Sequence, residues 1–392
     1  MTKYLVWITI NPLLLSFLLL VIIIIIQLLL ILSYFLYTFC RLVYHNMADS
    51  SQSRSSTHDP LERSPTEISL EVTLSILICL TSILGNLLVV YVVNKDSRLK
   101  GVTNIFILNL ALTDISMASL HMPFWVTSLY TGTWIFSEKG CEFQAAIQFT
   151  LGIASILNMG LISFNRYFRV VKPALYSKIF ASKRMARVYC ALVWVASLLL
   201  ATPPLYGWGK MAYHPYFAVC TFTWEIQYIS YAILVVGGVV NGTTLAIFYS
   251  YYKIYTTLKE STRNLNAHGI DGAVSAGRHR TDIRLLKTSF TVVCVFVMTW
   301  GPVSVIVIVE SVGCFIPRGI FSAVIFLMFT SSLANPIVYG IMNPQFQAAF
   351  KRALSLGRYG NGQISQSHTR HETNCNVSIS WCEMRAYDQI SF

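Results

Sequence analysis

Seven apolar stretches, each long enough to cross a bilayer, decide what this chain is able to fold into. They lie near residues 72 to 94, 102 to 128, 143 to 165, 187 to 206, 226 to 252, 288 to 309 and 319 to 342. A run of roughly 20 apolar residues covers about 30 Å of hydrocarbon as a helix, and a helix satisfies its backbone hydrogen bonds internally where water is absent. With 55% hydrophobic and 12% charged residues, the chain carries more apolar surface than a water-soluble core hides. The expected fold is an all-α membrane protein, a seven-transmembrane helix bundle.

The net charge of +12 does not point to nucleic acid, because the basic residues gather in alternate connections. Lys95, Arg98 and Lys100 share the first, and Arg166, Arg169, Lys172, Lys178, Lys183 and Arg184 the third. Lys253, Lys259, Arg263, Arg278, Arg280, Arg284 and Lys287 share the fifth, and Lys351, Arg352 and Arg358 follow the last span. The other connections hold only Lys139, Lys210 and Arg318. Basic loops stay cytoplasmic, so the segment before the first span is expected outside and the C-terminus inside. The same basic loops suit contact with anionic membrane lipid.

Residues 1–46 contain an apolar run of about 30 residues, longer than the 7 to 15 of a signal-peptide core. They read as a leader: an extra N-terminal hydrophobic helix acting as signal anchor, or a gene-model artefact upstream of a start at Met47. Residues 47–70 are polar and Ser-rich and read as a disordered extracellular N-terminus, residues 356–392 as a disordered cytoplasmic tail. Of nine cysteines, Cys141, Cys220 and Cys314 face outward, where a disulfide forms; Cys141 pairs with Cys220 or with Cys314 on spacing alone.

Inside the spans, Asp114 is the only acid at mid-depth. One acid is few for a transporter or a proton pump. Asp114 either contacts Asn86 or Ser155 between helices, or binds a cation or changes protonation between two conformations. Pro123, Pro302 and Pro336 each remove a helix hydrogen bond. The last two stand beside Trp300 and beside Asn335 with Tyr339, which suits helices that pivot between two packings. Arg166 follows an uncharged run from Phe143 to Phe164, where an arginine either snorkels or serves a partner.

Taken in order, Asn86 in GNLLVV, Asp114 in NLALTD, Arg166 in NRY, Trp194, Trp300 and Pro302 in TWGP, and NPIVY from Asn335 to Tyr339 resemble the rhodopsin-like G-protein-coupled receptors. The resemblance covers residues 71 to 355 and implies a receptor domain over 71–342, without enzymatic activity, in the plasma membrane. It implies coupling to a heterotrimeric G protein, and arrestin as a further partner. It also implies a bridge between Cys141 and Cys220, a sodium and water site at Asp114, Ser155 and Asn335, and a short amphipathic eighth helix over 343–355. The activation switch would comprise Trp300, Pro302, Phe296, Asn335 and Pro336. Asn165, Arg166, Tyr167, Tyr251 and Tyr339 would form the coupling gate, with Asp282 restraining Arg166.

The outer half resembles opsins in TPPLYGWG, Thr202 to Gly209. Opsins hold retinal on a lysine six positions before the Asn of NPxxY, which here is Phe329, and no lysine lies between Lys287 and Lys351. The resemblance therefore argues against covalent retinal and leaves reversible retinoid binding as an alternative. Gln144 and His214 stand where opsins place acidic counterions. The third helix also resembles melatonin receptors, although Pro204 and Val239 depart from that pocket. Gln148 stands where amine receptors carry an aspartate, so a cationic ligand lacks its partner. The implied pocket holds Trp125, Gln144, Gln148, Phe149, Val235, Val239, Trp300, Val303, Val307, Ile325 and Phe329, and suits a neutral or amphipathic small molecule. Thr243 replaces the family's fifth-helix proline, which puts the bulge there and its link to Ile156 and Phe296 in question. The C-terminal residues Ile390 to Phe392 resemble a weak PDZ ligand.

Overall fold

The computed structural model describes residues 63–267, 273–311 and 316–356. The leader, the start at Met47, Cys314, the tail and its PDZ-like end lie outside the described residues, as does the side chain of Asp282. The described residues up to Ala353 form one compact unit; of the second, only residues 354–356 are described.

Seven helices long and apolar enough to cross a membrane appear among the described residues. They are Pro65–Lys95, Val102–Thr131, Glu138–Val171, Lys183–Ala201, Ile229–Ser261, Leu286–Glu310 and Arg318–Met342. Their outward faces are apolar: Leu84, Leu199 and Ile341 are each about two-thirds exposed. Their inner faces carry amides and an acid, with Asn86 and Asn158 at 0% and Asp114 at 3% exposure. That inversion of a soluble protein's pattern is stable only where the surrounding solvent is hydrocarbon.

Helix ends follow local chemistry. The first span begins six residues before the expected boundary at 71, because Ser64 and Glu67 form a reciprocal capping box and Pro65 occupies the first turn. Residues 65–70 are therefore helix, not disordered N-terminus. The third span, 34 residues from Glu138 with Ser137 as its cap, extends beyond the expected 143 to 165 at both ends. It runs through the centre of the bundle. Its Gly152 and Gly160 let Trp300 and Thr243 approach to where a Cβ would sit only 2.9 Å away.

Two spans contain wide π-turns. The second passes through Met117–His121 just before Pro123, and the fifth through Ile233–Asn241 just before Thr243. The fifth-helix bulge therefore exists without a proline. Gly237 and Gly238, with little side-chain bulk to clash, lie within it.

Between the fourth and fifth spans lies an antiparallel hairpin, β1 Met211–His214 with β2 Val219–Phe222, an addition to the expected all-helical fold. Gly209 enters it at φ +131°, and a Cβ there would meet Phe222 at 2.6 Å. After the seventh span, Pro344–Leu356 forms the expected eighth helix.

Candidate ligand pocket and coupling gate

The hairpin roofs one end of the bundle, the end expected to face outward, and is held from several sides. Cys220 on β2 bonds to Cys141 at the head of the third span, Cα to Cα 5.3 Å, so the resemblance assigned the bridge as the structure has it. On the neighbouring strand, one ladder step from Cys220, His214 Nε2 meets Glu310 Oε1 of the sixth span at 2.6 Å. Phe217 and Tyr216 pack on Phe321 of the seventh, ring centres 4.9 and 5.3 Å apart. Beside this roof, Glu71 accepts from Arg63 at 3.0 Å and from Arg318 at 2.6 and 2.8 Å, while Arg63 also donates to the Leu129 carbonyl at 2.6 Å. That clamp joins the outer ends of the first, second and seventh spans.

Below the roof the expected pocket residues divide into two groups. Phe329 is 1% exposed and fills the position where opsins carry their lysine; Trp125 packs on it at 4.4 Å. Val303, Val307, Ile325 and Trp300 belong to the same apolar cluster as these two, together with the roof residues Phe217 and Val219. Phe149, Val235 and Val239 instead join a cluster with Phe222 and Tyr231 toward the fifth span. Gln144 Nε2 reaches His121 Nδ1 at 2.9 Å and the His121 carbonyl at 3.1 Å, a contact between the third and second spans. Gln148 Oε1 is buried without a hydrogen-bond partner.

At mid-depth, Trp300 stacks on Phe296 at 5.3 Å and donates to Ser331 Oγ at 3.1 Å, which ties the sixth span to the seventh. Asn335 Nδ2 donates to Asp114 Oδ2 at 2.8 Å. Asn86 donates to the Ser332 carbonyl at 2.9 Å rather than to Asp114. Ser155 is buried on the third span. Pro302 and Pro336 lie inside their helices as expected.

Toward the inner end, Asn165 Oδ1 accepts from Thr103 Oγ1 of the second span at 2.8 Å. Arg166 is 7% exposed. Tyr251 lies within electrostatic reach of Arg166 and packs on Phe290 at 5.3 Å. Tyr251 and Tyr339 line one narrow apolar gap with Ile107, Met159 and Val292, and Tyr339 stacks on Phe346 of the eighth helix at 5.4 Å. Tyr167 stays half-buried against Phe168. Asp282 falls in the helix Ala273–Ser311, its side chain outside the described residues.

Residues 85–339 match the family described as "7 transmembrane receptor (rhodopsin family)". The chain belongs to the rhodopsin family of seven-transmembrane receptors. Members of this family signal and are not enzymes. Human melanopsin is 29% identical over 336 residues, 80% of this chain and 70% of that protein. Rat melatonin receptor type 1B is 28% identical over 298 residues, 75% of this chain and 80% of that one. The crystal structure of squid rhodopsin aligns with TM-score 0.67 at 23% identity, covering 80% of this chain and 93% of that one.

Within this rhodopsin-family bundle, sequence reading missed a buried amide chain. Trp194 Nε1 donates to Asn109 Oδ1 at 3.0 Å, Asn109 Nδ2 donates to Asn158 Oδ1 at 2.6 Å, and Asn158 Nδ2 donates to Thr113 Oγ1 at 3.3 Å. It joins the second, third and fourth spans. The signal was present in two asparagines amid apolar runs, since an amide in hydrocarbon needs a partner. His121 and Glu310 were missed as well, because each acquires its role only through a residue far away in the chain.

Proposed function

We propose that this receptor binds a neutral or amphipathic small molecule between the roof hairpin and Trp300 and passes the event to a heterotrimeric G protein. The observation that carries the reading is the continuous path from Trp125 and Phe329 through Trp300 and Phe296 to the inner gap lined by Tyr251 and Tyr339. Ligand that prefers one packing of the sixth and seventh spans shifts the population toward it by the difference in affinity. Phe329, an aromatic without an amine, supports a pocket that holds its ligand without a covalent bond. Reversible retinoid binding is the second reading, supported by the melanopsin similarity.

In this reading the N-terminal side faces the exterior of a plasma membrane and the tail the cytoplasm, as the basic connections direct. Asp114, with Ser155 and Asn335, would hold a sodium ion; the buried carboxylate supplies the charge it needs. Arrestin and a PDZ domain are further partners on the inner side, and anionic lipid meets the basic loops.

Arg166 is the test. Arg166→Ala is expected to abolish guanine-nucleotide exchange in membranes while surface labelling stays at the wild-type level. Asn165→Asp keeps an acceptor for Thr103 and adds a charge beside Arg166, so basal exchange falls. Exchange by Arg166→Ala equal to wild type overturns the coupling reading.

A further inference from the structure

The outer bundle contains a polar arrangement that no apolar ligand explains. His121 ends the π-turn Met117–His121, and such turns redirect a side chain relative to a regular helix. Its ring is 1% exposed and lies 5.5 Å from Phe329. Gln144 Nε2 donates to Nδ1 at 2.9 Å. The orientation of that amide is settled by its surroundings, because the same nitrogen lies 3.1 Å from the His121 carbonyl and 3.4 Å from the Leu120 carbonyl, both acceptors. Nδ1 therefore accepts, and the imidazole proton sits on Nε2. That Nε2 is buried with no hydrogen-bond partner.

A complementary atom lies one helical turn further in. Gln148 follows Gln144 on the same face of the third span, and Gly152, against which Trp300 packs, follows Gln148. Gln148 Oε1, an acceptor, is also buried and unpartnered. A second donor, Trp125 Nε1, is buried and unpartnered one turn beyond His121 on the second span. A buried polar group left without a partner is destabilising, because it has lost its water and gained nothing in return. Donors on the second span and an acceptor on the third thus describe what an occupant between those spans must bring.

We propose that His121 is the polar anchor of the ligand pocket, its Nε2–H donating to a carbonyl of the ligand while Gln148 Oε1 accepts from the ligand's N–H or O–H. The ligand class is a neutral, mostly apolar molecule carrying a carboxamide or a comparable adjacent carbonyl and donor. Phe329 and Trp125 supply the apolar walls. This inference rests on the receptor reading above and deepens it by assigning the polar chemistry of the same pocket.

The test uses the full chain in lipid nanodiscs with three probes: N-phenylacetamide (carbonyl and N–H), acetophenone (carbonyl only) and ethylbenzene (neither). Histidine-selective nitrogen-15 spectra are expected to show a neutral, Nε2-protonated His121 whose signal shifts with the first two probes and not with the third. N-phenylacetamide should bind about tenfold tighter than ethylbenzene, the weight of one or two net hydrogen bonds. Gln148→Leu should lower it to the affinity of acetophenone, and His121→Phe should lower acetophenone to that of ethylbenzene while N-phenylacetamide keeps only the part that its N–H gains from Gln148. Equal affinity for all three probes, a ring protonated on Nδ1, or wild-type ranking in both variants overturns the assignment. If His121→Phe does not fold, the wild-type spectra and Gln148→Leu still decide. Nucleotide exchange by the wild type separates the two readings: exchange without probe ranking overturns the anchor alone, and probe ranking without exchange overturns the coupling.

Discussion

His214 on the hairpin and Glu310 on the sixth span meet at 2.6 Å, across 96 residues of chain. The Phe217 amide donates to His214 Nδ1 at 3.3 Å, so Nε2 carries the proton that reaches the glutamate. The roof is thereby tied to the sixth span as well as to the third. Both partners are partly exposed, which limits the pair to about 0.5 to 1.5 kcal/mol. Glu310→Ala is expected to speed amide hydrogen exchange in Met211–His214 by up to about tenfold, and a cycle with His214→Ala should show the two changes to be coupled. Additive effects would mean that the aromatic packing on Phe321 holds the roof alone.

The bridge between Cys141 and Cys220 closes a loop of 79 residues in sequence separation. Losing such a bond removes about 2 to 5 kcal/mol. Cys141→Ala and Cys220→Ala should each lower folded yield at 37 °C, and the double variant should be no worse than either single one. Non-reducing peptide mapping of the wild type checks the pairing, and folded yield by gel filtration checks the loss.

Gly152 is predicted to tolerate no side chain without movement of Trp300, whose Cη2 lies 2.9 Å from where a Cβ would stand. Gly152→Ala should destabilise by about 1 to 3 kcal/mol through overpacking. Because Trp300 also holds Ser331, the seventh span should respond too. Thermal unfolding, followed by fluorescence of the variant and the wild type, measures the loss; an unchanged midpoint would show that the indole yields freely.

Asp96, in the first inner connection, accepts from the Arg98 amide and pairs with Arg352 of the eighth helix. The Arg98 amide first, and the Arg352 guanidinium after it, hold its carboxyl below the ordinary carboxylate range. The stabilising contribution is thus complete above the ordinary aspartate pKa of about 3.9 and is lost as pH falls through the lower folded value. A spin label on the eighth helix should loosen as pH is lowered through that window. Asp96→Asn should abolish the pH step, and Arg352→Gln should shift it upward toward the ordinary value.

Much of this protein was determined by its sequence. Seven apolar runs dictate a bundle of membrane-spanning helices, because hydrocarbon tolerates neither open backbone nor unpaired charge. Landmarks such as Asp114, Arg166, Trp300 and Asn335 are legible because each stands out against an apolar background. What the tertiary structure alone decided are the pairings: Asn165 with Thr103, Asp114 with Asn335, His214 with Glu310, and Gln144 with His121. The fifth-helix bulge belongs with these. Put in question because Thr243 replaces the family's proline, it forms nonetheless, where Thr243 packs against Gly160 of the third span. A helix pattern reveals which face turns inward, but a hydrogen bond between helices depends on depth and rotation, which are set by the packing of all seven together.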